Sequence, residues 1–279
     1  MAPAAGAQSA GTAARVSELA ALRPLVDGTG AEGTVLVYDL RRDRYHGVYA
    51  GRAHRRLIPA STFKIVNALA ALDAGIVAGP ASVIAWDGVT RERTELNRDL
   101  NLQSAFRLSA VPHFQWLARR LGPERLQRAV DGFGYGNRDI GAGIDRFWLT
   151  GALRVSPAEQ IALLVRLRGD ALPVAPAAMA AVREMMVVER TPTHTIRAKT
   201  GWATTRPREV GWWVGWVERG AEVYFFATAL EHAAPGPAFA ADRLRVTRRV
   251  LAALGALDEP AEPPEPKPPR GRSTAEEST

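Results

Sequence analysis

Residues 194–230, HTIRAKTGWATTRPREVGWWVGWVERGAEVYFFATAL, decide the fold. Three runs within them, 194–200, 209–218 and 222–230, are rich in Thr, Val, Ile, Trp, Tyr and Phe. Such residues fit a pleated, half-buried surface. The last two runs meet at Arg219-Gly220 and predict a hairpin. Trp212-Trp213-Val214-Gly215-Trp216 is apolar at successive positions, which predicts sheet core packed on both faces rather than an aromatic stacking platform.

Working outward, 33–40 (GTVLVYDL) predicts another strand, Arg41–Arg44 a polar turn, and Tyr45–Tyr49 the returning strand. An arginine-rich amphipathic helix is expected over 240–254 and a helix over 15–23. Residues 61–73 predict an apolar helix ended by Gly75. Residues 100–170 predict mostly helix, broken around Asp131–Asn137 and Gly141–Gly143, and a helix over 177–188 leads back to the strands. Strands at both ends with a helical insert give an α+β class: one antiparallel sheet flanked by helices, plus a mainly helical lobe.

One domain is expected over 14–257. Residues 1–13 (MAPAAGAQSAGTA) have no apolar pattern and predict a disordered lead. Residues 258–279 carry prolines at 260, 263, 264, 266, 268 and 269 among charges, so they predict a disordered tail. The chain is 279 residues long, 47% hydrophobic and 23% charged, an ordinary globular composition. With no cysteine, disulfides, thiolate metal sites and cysteine nucleophiles are excluded. No run approaches the ~20 apolar residues of a membrane span, so no membrane partner is expected. The N-terminus lacks the pattern of a signal peptide, leaving a cytoplasmic protein or a mature form whose leader has been removed.

Of 36 basic residues, 33 are arginine; lysine stands only at Lys64, Lys199 and Lys267, the last in the tail. Arginine stays protonated in a protein, whereas a desolvated lysine can lose its proton. Ser61-Thr62-Phe63-Lys64 puts a hydroxyl and an amine three residues apart on one helix face. Pro59 places Ser61 in the first turn, where free N–H groups favour developing negative charge. Ile65, Val66, Ala68, Leu69 and Leu72 bury this helix, so Lys64 is expected to have a depressed pKa and to be able to activate the serine. Lys199-Thr200-Gly201 ends a predicted strand, and its glycine allows another backbone or a ligand to approach closely. S-x-x-K together with K-T-G is the paired signature of penicillin-recognising serine enzymes.

Further stretches make the resemblance specific. Pro59–Lys64, Trp86-Asp87-Gly88, Ser109-Ala110-Val111, Tyr135-Gly136-Asn137, Phe147-Trp148-Leu149 and Lys199-Thr200-Gly201-Trp202 occur in this order. Over roughly 33–255 the chain resembles the class D, oxacillinase-type, serine β-lactamases. S-x-V and Y-G-N distinguish class D from class A, which uses S-D-N. The resemblance implies a β-lactamase-like fold and hydrolysis of a small-molecule β-lactam through acyl-Ser61. It implies no bound cofactor beyond a carbon dioxide-derived carbamate on Lys64, which serves as base in acylation and deacylation.

It further implies that the Trp148 indole holds the carbamate, that Ser109 relays a proton to the β-lactam nitrogen, and that Lys199, Thr200 and Arg243 bind the substrate carboxylate. Arg245 is a neighbouring alternative to Arg243. The backbone N–H groups of Ser61 and Trp202, beside Gly201, would form an oxyanion hole, while Val111 and Leu149 gate water. The resemblance also implies a periplasmic location with the leader removed. A β-lactam sensor domain that stays acylated, or a cell-wall peptidase, would share S-x-x-K and the fold. Arginine clusters at Arg41–Arg44, Arg55-Arg56 and Arg243–Arg249 lack an accompanying nucleic-acid motif, so no nucleic-acid partner is expected. The five histidines have no metal-ligand spacing, and the oligomeric state is left open.

Overall fold

The computed structural model describes residues 16–258. The expected disordered lead and nearly all of the expected tail lie outside them. The chain enters through a two-residue strand, β1 (Ser17–Glu18), a 3-10 turn (Ala20–Leu22) and a short helix, α1 (Arg23–Asp27). The single helix expected over 15–23 is therefore not formed: Pro24 lacks an N–H and sits at the start of α1, and the preceding residues pair with the sheet instead.

Strands β2 (Glu32–Asp39) and β3 (Arg44–Val48) follow as expected. After them, a 3-10 turn (Ala60–Phe63) feeds α2 (Lys64–Asp73). The lobe then comprises β4 (Val83–Ile84), β5 (Leu100–Asn101), α3 (Leu102–Arg107), α4 (Val111–Gly132) and α5 (Pro157–Arg168). Gly122 interrupts α4 with non-helical angles (φ 76°, ψ 167°) just before Pro123. Helix α5 starts on a capping box in which Ser156 and Glu159 satisfy each other's backbone N–H groups.

Helix α6 (Pro176–Met185) is shorter than expected, because the chain extends at Val187 into β6 (Val187–Arg190). The overrun has a cause: Met185-Met186-Val187-Val188 is apolar with no breaker, and only pairing with β7 (Thr195–Ala203) makes it a strand. β7, β8 (Glu209–Arg219) and β9 (Glu222–His232) run in antiparallel register, and α7 (Phe239–Ala253) closes the domain. Gly220, at φ 57°, supplies the left-handed conformation that the β8–β9 turn requires.

The seven-stranded sheet has the order β1-β3-β2-β9-β8-β7-β6. Every pairing is antiparallel except the parallel β1–β3 contact, which refines the expected all-antiparallel sheet. A core lies on each face. Trp212, Val214 and Trp216 of β8 join the core shared with the lobe, whereas Trp213 and Val217 join the core under α1 and α7. The tryptophan-rich run is thus sheet core, as its two-sided apolar pattern predicts. Residues 64–71 of α2 are buried all round, so this helix runs through the lobe's interior and packs on α4 and α6.

Trp212 also ties the sheet to the segment before Ser61: its Nε1 donates to the Ile58 carbonyl at 2.8 Å. Trp216 is equally buried on the same face, but its Nε1 has no protein partner. Trp212→Phe should therefore cost about 1 kcal/mol more stability than Trp216→Phe in urea unfolding, since only the first leaves a buried carbonyl unpaired. Equal losses would show that the indole bond contributes nothing net.

Candidate active site

The turn that carries Ser61 is held from several directions. Ala60 sits at φ 49°, unusual for a residue with a Cβ, and its N–H donates to the Trp148 carbonyl at 3.0 Å. The Thr62 hydroxyl donates to the Pro59 carbonyl at 2.8 Å and accepts from Gln160 Nε2 at 2.8 Å. The Tyr135 hydroxyl lies 3.5 Å from Thr62 Oγ1, and burial pushes its pKa up. A strained backbone persists where its surroundings over-determine it.

Lys64 follows one turn later. Its side chain is fully buried, and Nζ lies 2.8 Å from Ser61 Oγ and 5.3 Å from the centre of the Phe114 ring. Burial first, then the charges of Lys199 and Arg93, push the Lys64 amine well below the ordinary lysine range. The second lysine is also buried, at 5% exposure. Lys199 Nζ donates to Ser109 Oγ at 3.0 Å and to the Thr200 carbonyl at 3.1 Å. Burial, then Arg243 and Arg93, bring its pKa down to about 7.

Ser109, within a stretch expected to be mostly helix, is not on one. It occupies the turn between α3 and α4 at φ 56°, a conformation that leads away from both helices. Lys199 stands within β7 rather than at a strand end, because β7 continues to Ala203. Gly201 matters for approach: a Cβ there would lie 2.9 Å from the Pro59 carbonyl oxygen and 3.1 Å from Thr62 Cγ2. The missing side chain lets β7, with Trp202, lie against the Ser61 turn.

Burial separates the two arginines. Arg243 is 8% exposed, donates to the carbonyls of Gly201 and Ala240, and stacks over Trp202 at 5.5 Å, while burial lowers its pKa to about 10. Arg245 instead points to solvent and pairs with Asp242 at 2.8 Å. Trp202 is 36% exposed, and its Nε1 donates to Glu209 at 2.6 Å. Trp148 is fully buried, stacked on Phe63 at 5.2 Å, and its Nε1 has no protein partner. A buried N–H donor left open in this way fits an anionic group. Val111 opens α4 on the face of Phe114, three residues on, and Leu149 follows Trp148; both are half-buried.

The structure therefore brings Ser61 to Lys64, Ser109 to Lys199, and Gly201 to both Arg243 and the Ser61 turn. Several supports carry no motif: Gln160 on Thr62, Asn67 Nδ2 donating to the Phe114 carbonyl at 3.0 Å, and Arg93 beside Ser109. For Gln160, its place directly before the apolar run Ile161–Val165 is a usable signal; Arg93 offers none.

The family model for the penicillin binding protein transpeptidase domain matches residues 31–254. The chain is 46% identical over 181 residues to β-lactamase OXA-5 of Pseudomonas aeruginosa, covering 64% of this chain and 68% of that one. To β-lactamase OXA-48 of Klebsiella pneumoniae it is 40% identical over 201 residues, covering 72% and 76%. It belongs to the class D β-lactamases. A crystal structure of the class D β-lactamase YbxI from Nostoc superposes with a TM-score of 0.81 at 40% identity, covering 85% of this chain and 99% of that one. The α+β fold is that of a class D β-lactamase.

Both buried lysines hold fewer protons in the folded than in the unfolded state, so stability rises with pH up to the unfolded lysine value of about 10.4. Lys64→Met should raise Tm at pH 7 by roughly 2–4 °C, the equivalent of about 1 kcal/mol in a domain of this size. The gain should shrink toward pH 10 in thermal scans. A lower Tm than the unsubstituted protein at pH 7 would mean that the Lys64–Ser61 contact outweighs desolvation.

Proposed function

We propose that this enzyme hydrolyses β-lactams through an acyl-Ser61 intermediate, with Lys64 in its carbamylated form as the base in both half-reactions. The observation that carries the reading is the fully buried Lys64 Nζ, 2.8 Å from Ser61 Oγ. An amine held down by burial keeps the lone pair that carbon dioxide addition needs; an arginine could not. The carbamate would supply an anionic base at neutral pH, and the open Trp148 N–H is the donor suited to hold it.

Lys64, so modified, takes the Ser61 proton as Oγ attacks the lactam carbonyl. The adjacent backbone N–H groups of Ser61 and Trp202 stabilise the oxyanion. As the C–N bond breaks, Ser109 passes a proton to the ring nitrogen and is re-protonated from Lys199, whose value near 7 suits exchange at neutral pH. Lys199, Thr200 and Arg243 bind the substrate carboxylate; Val111 and Leu149 control the approach of water. The carbamate on Lys64 releases the Ser61 proton to solvent, then deprotonates that water as it attacks the acyl carbonyl, and returns the proton to Ser61 Oγ as the ester bond breaks. One catalytic domain over 14–257 and a periplasmic location complete the proposal.

A chromogenic cephalosporin should show sustained, multiple turnovers, whereas one stoichiometric burst would favour an acylated sensor. Lys64→Arg should reduce kcat/KM by at least about 10³-fold, the scale of a lost general base. Stripping carbon dioxide at acidic pH should abolish turnover, and bicarbonate should restore it. Activity indifferent to both treatments would remove the carbamate from the mechanism.

A further inference from the structure

Arg93 lies outside all six motifs, yet it stands at the cleft. It immediately precedes a 3-10 turn (Thr94–Leu96). Its Nη2 donates to the Leu108 carbonyl at 3.0 Å and lies 2.8 Å from Glu95 Oε1, to which Nε also donates at 2.9 Å. Leu108 directly precedes Ser109, whose Oγ accepts from Lys199. The guanidinium thus rests on the turn that delivers Ser109, on the lip across from β7. Its charge is felt in the interior, since after burial and one nearer cation it is a further influence lowering both Lys64 and Lys199.

Two features leave this arginine free to meet a ligand. The side chain is 54% exposed, and Nη1 has no partner among the described residues. Its pairing with Glu95 is between exposed groups, a kind of contact that contributes little and is readily exchanged. Lys199, Thr200 and Arg243, on the β7 side, already suffice for one carboxylate. A further cation on the opposite lip exceeds what a monoanionic substrate requires. A guanidinium edge matches a second carboxylate or a sulfonate in geometry as well as charge.

We propose that Arg93 recognises a second anionic group on the β-lactam, so that dianionic substrates are selected over monoanionic ones. This rests on the β-lactam reading above. The test uses two penicillins that differ by one carboxylate on the acyl side chain. Their binding to Ser61→Ala protein, which cannot be acylated, is followed by calorimetric titration. The carboxylated compound should bind about 5–10-fold tighter, a gain of the size one partly exposed charge-assisted bond provides. The ratio should fall to about one in Arg93→Gln, which loses the charge. It should rise in Glu95→Gln, where the competing carboxylate is gone. An unchanged ratio in Arg93→Gln, with both penicillins still binding, would overturn the role of Arg93 alone. Failure of either penicillin to bind at millimolar concentration would overturn the β-lactam reading itself.

Discussion

The site depends on one contact: an ammonium-forming side chain with no access to water, set against a serine hydroxyl. Lys64 Nζ reaches Ser61 Oγ at 2.8 Å from inside a helix that is buried all round. Desolvation of a full charge there would be far more costly than one hydrogen bond returns. Burial therefore pushes the amine well below the ordinary lysine range, which is the property the proposed role requires. Phe114 stacks beneath it, and Asn67 fixes the start of α4 by bonding the Phe114 carbonyl. The same helices that exclude water thus set the position of the amine.

A second constraint is backbone strain at two non-glycine residues, Ala60 and Ser109, which flank the cleft at positive φ. Each stands at the candidate site, and each is fixed by bonds from a different part of the fold. Ala60 is anchored by the Trp148 carbonyl and by the Trp212-capped segment before it. Ser109 is anchored by Lys199 on β7 and by Arg93 on the carbonyl before it. Sheet and lobe are thus also joined at these two turns.

Much of this was legible in the sequence. Strands β7 to β9 announce themselves through aromatic and β-branched runs, and a helix apolar on every side announces burial of Lys64. The scarcity of lysine in an arginine-rich chain singled out the two amines. What was not legible depends on tertiary pairing. β6 has the composition of a helix end, and β1 is two residues long. Ser109 reads as helical because its left-handed turn involves no glycine. Arg93 is one arginine among 33, and only the fold brings it to the turn before Ser109. The choice of Arg243 over Arg245 likewise needed α7 docked on the sheet, since the two stand only two residues apart.

Carbon-13 NMR of the protein equilibrated with ¹³C-bicarbonate tests the central claim most directly. A single carbamate resonance is expected, lost in Lys64→Arg and retained in Lys199→Arg. No resonance, or one that survives Lys64→Arg, would contradict a carbamylated Lys64 as the base.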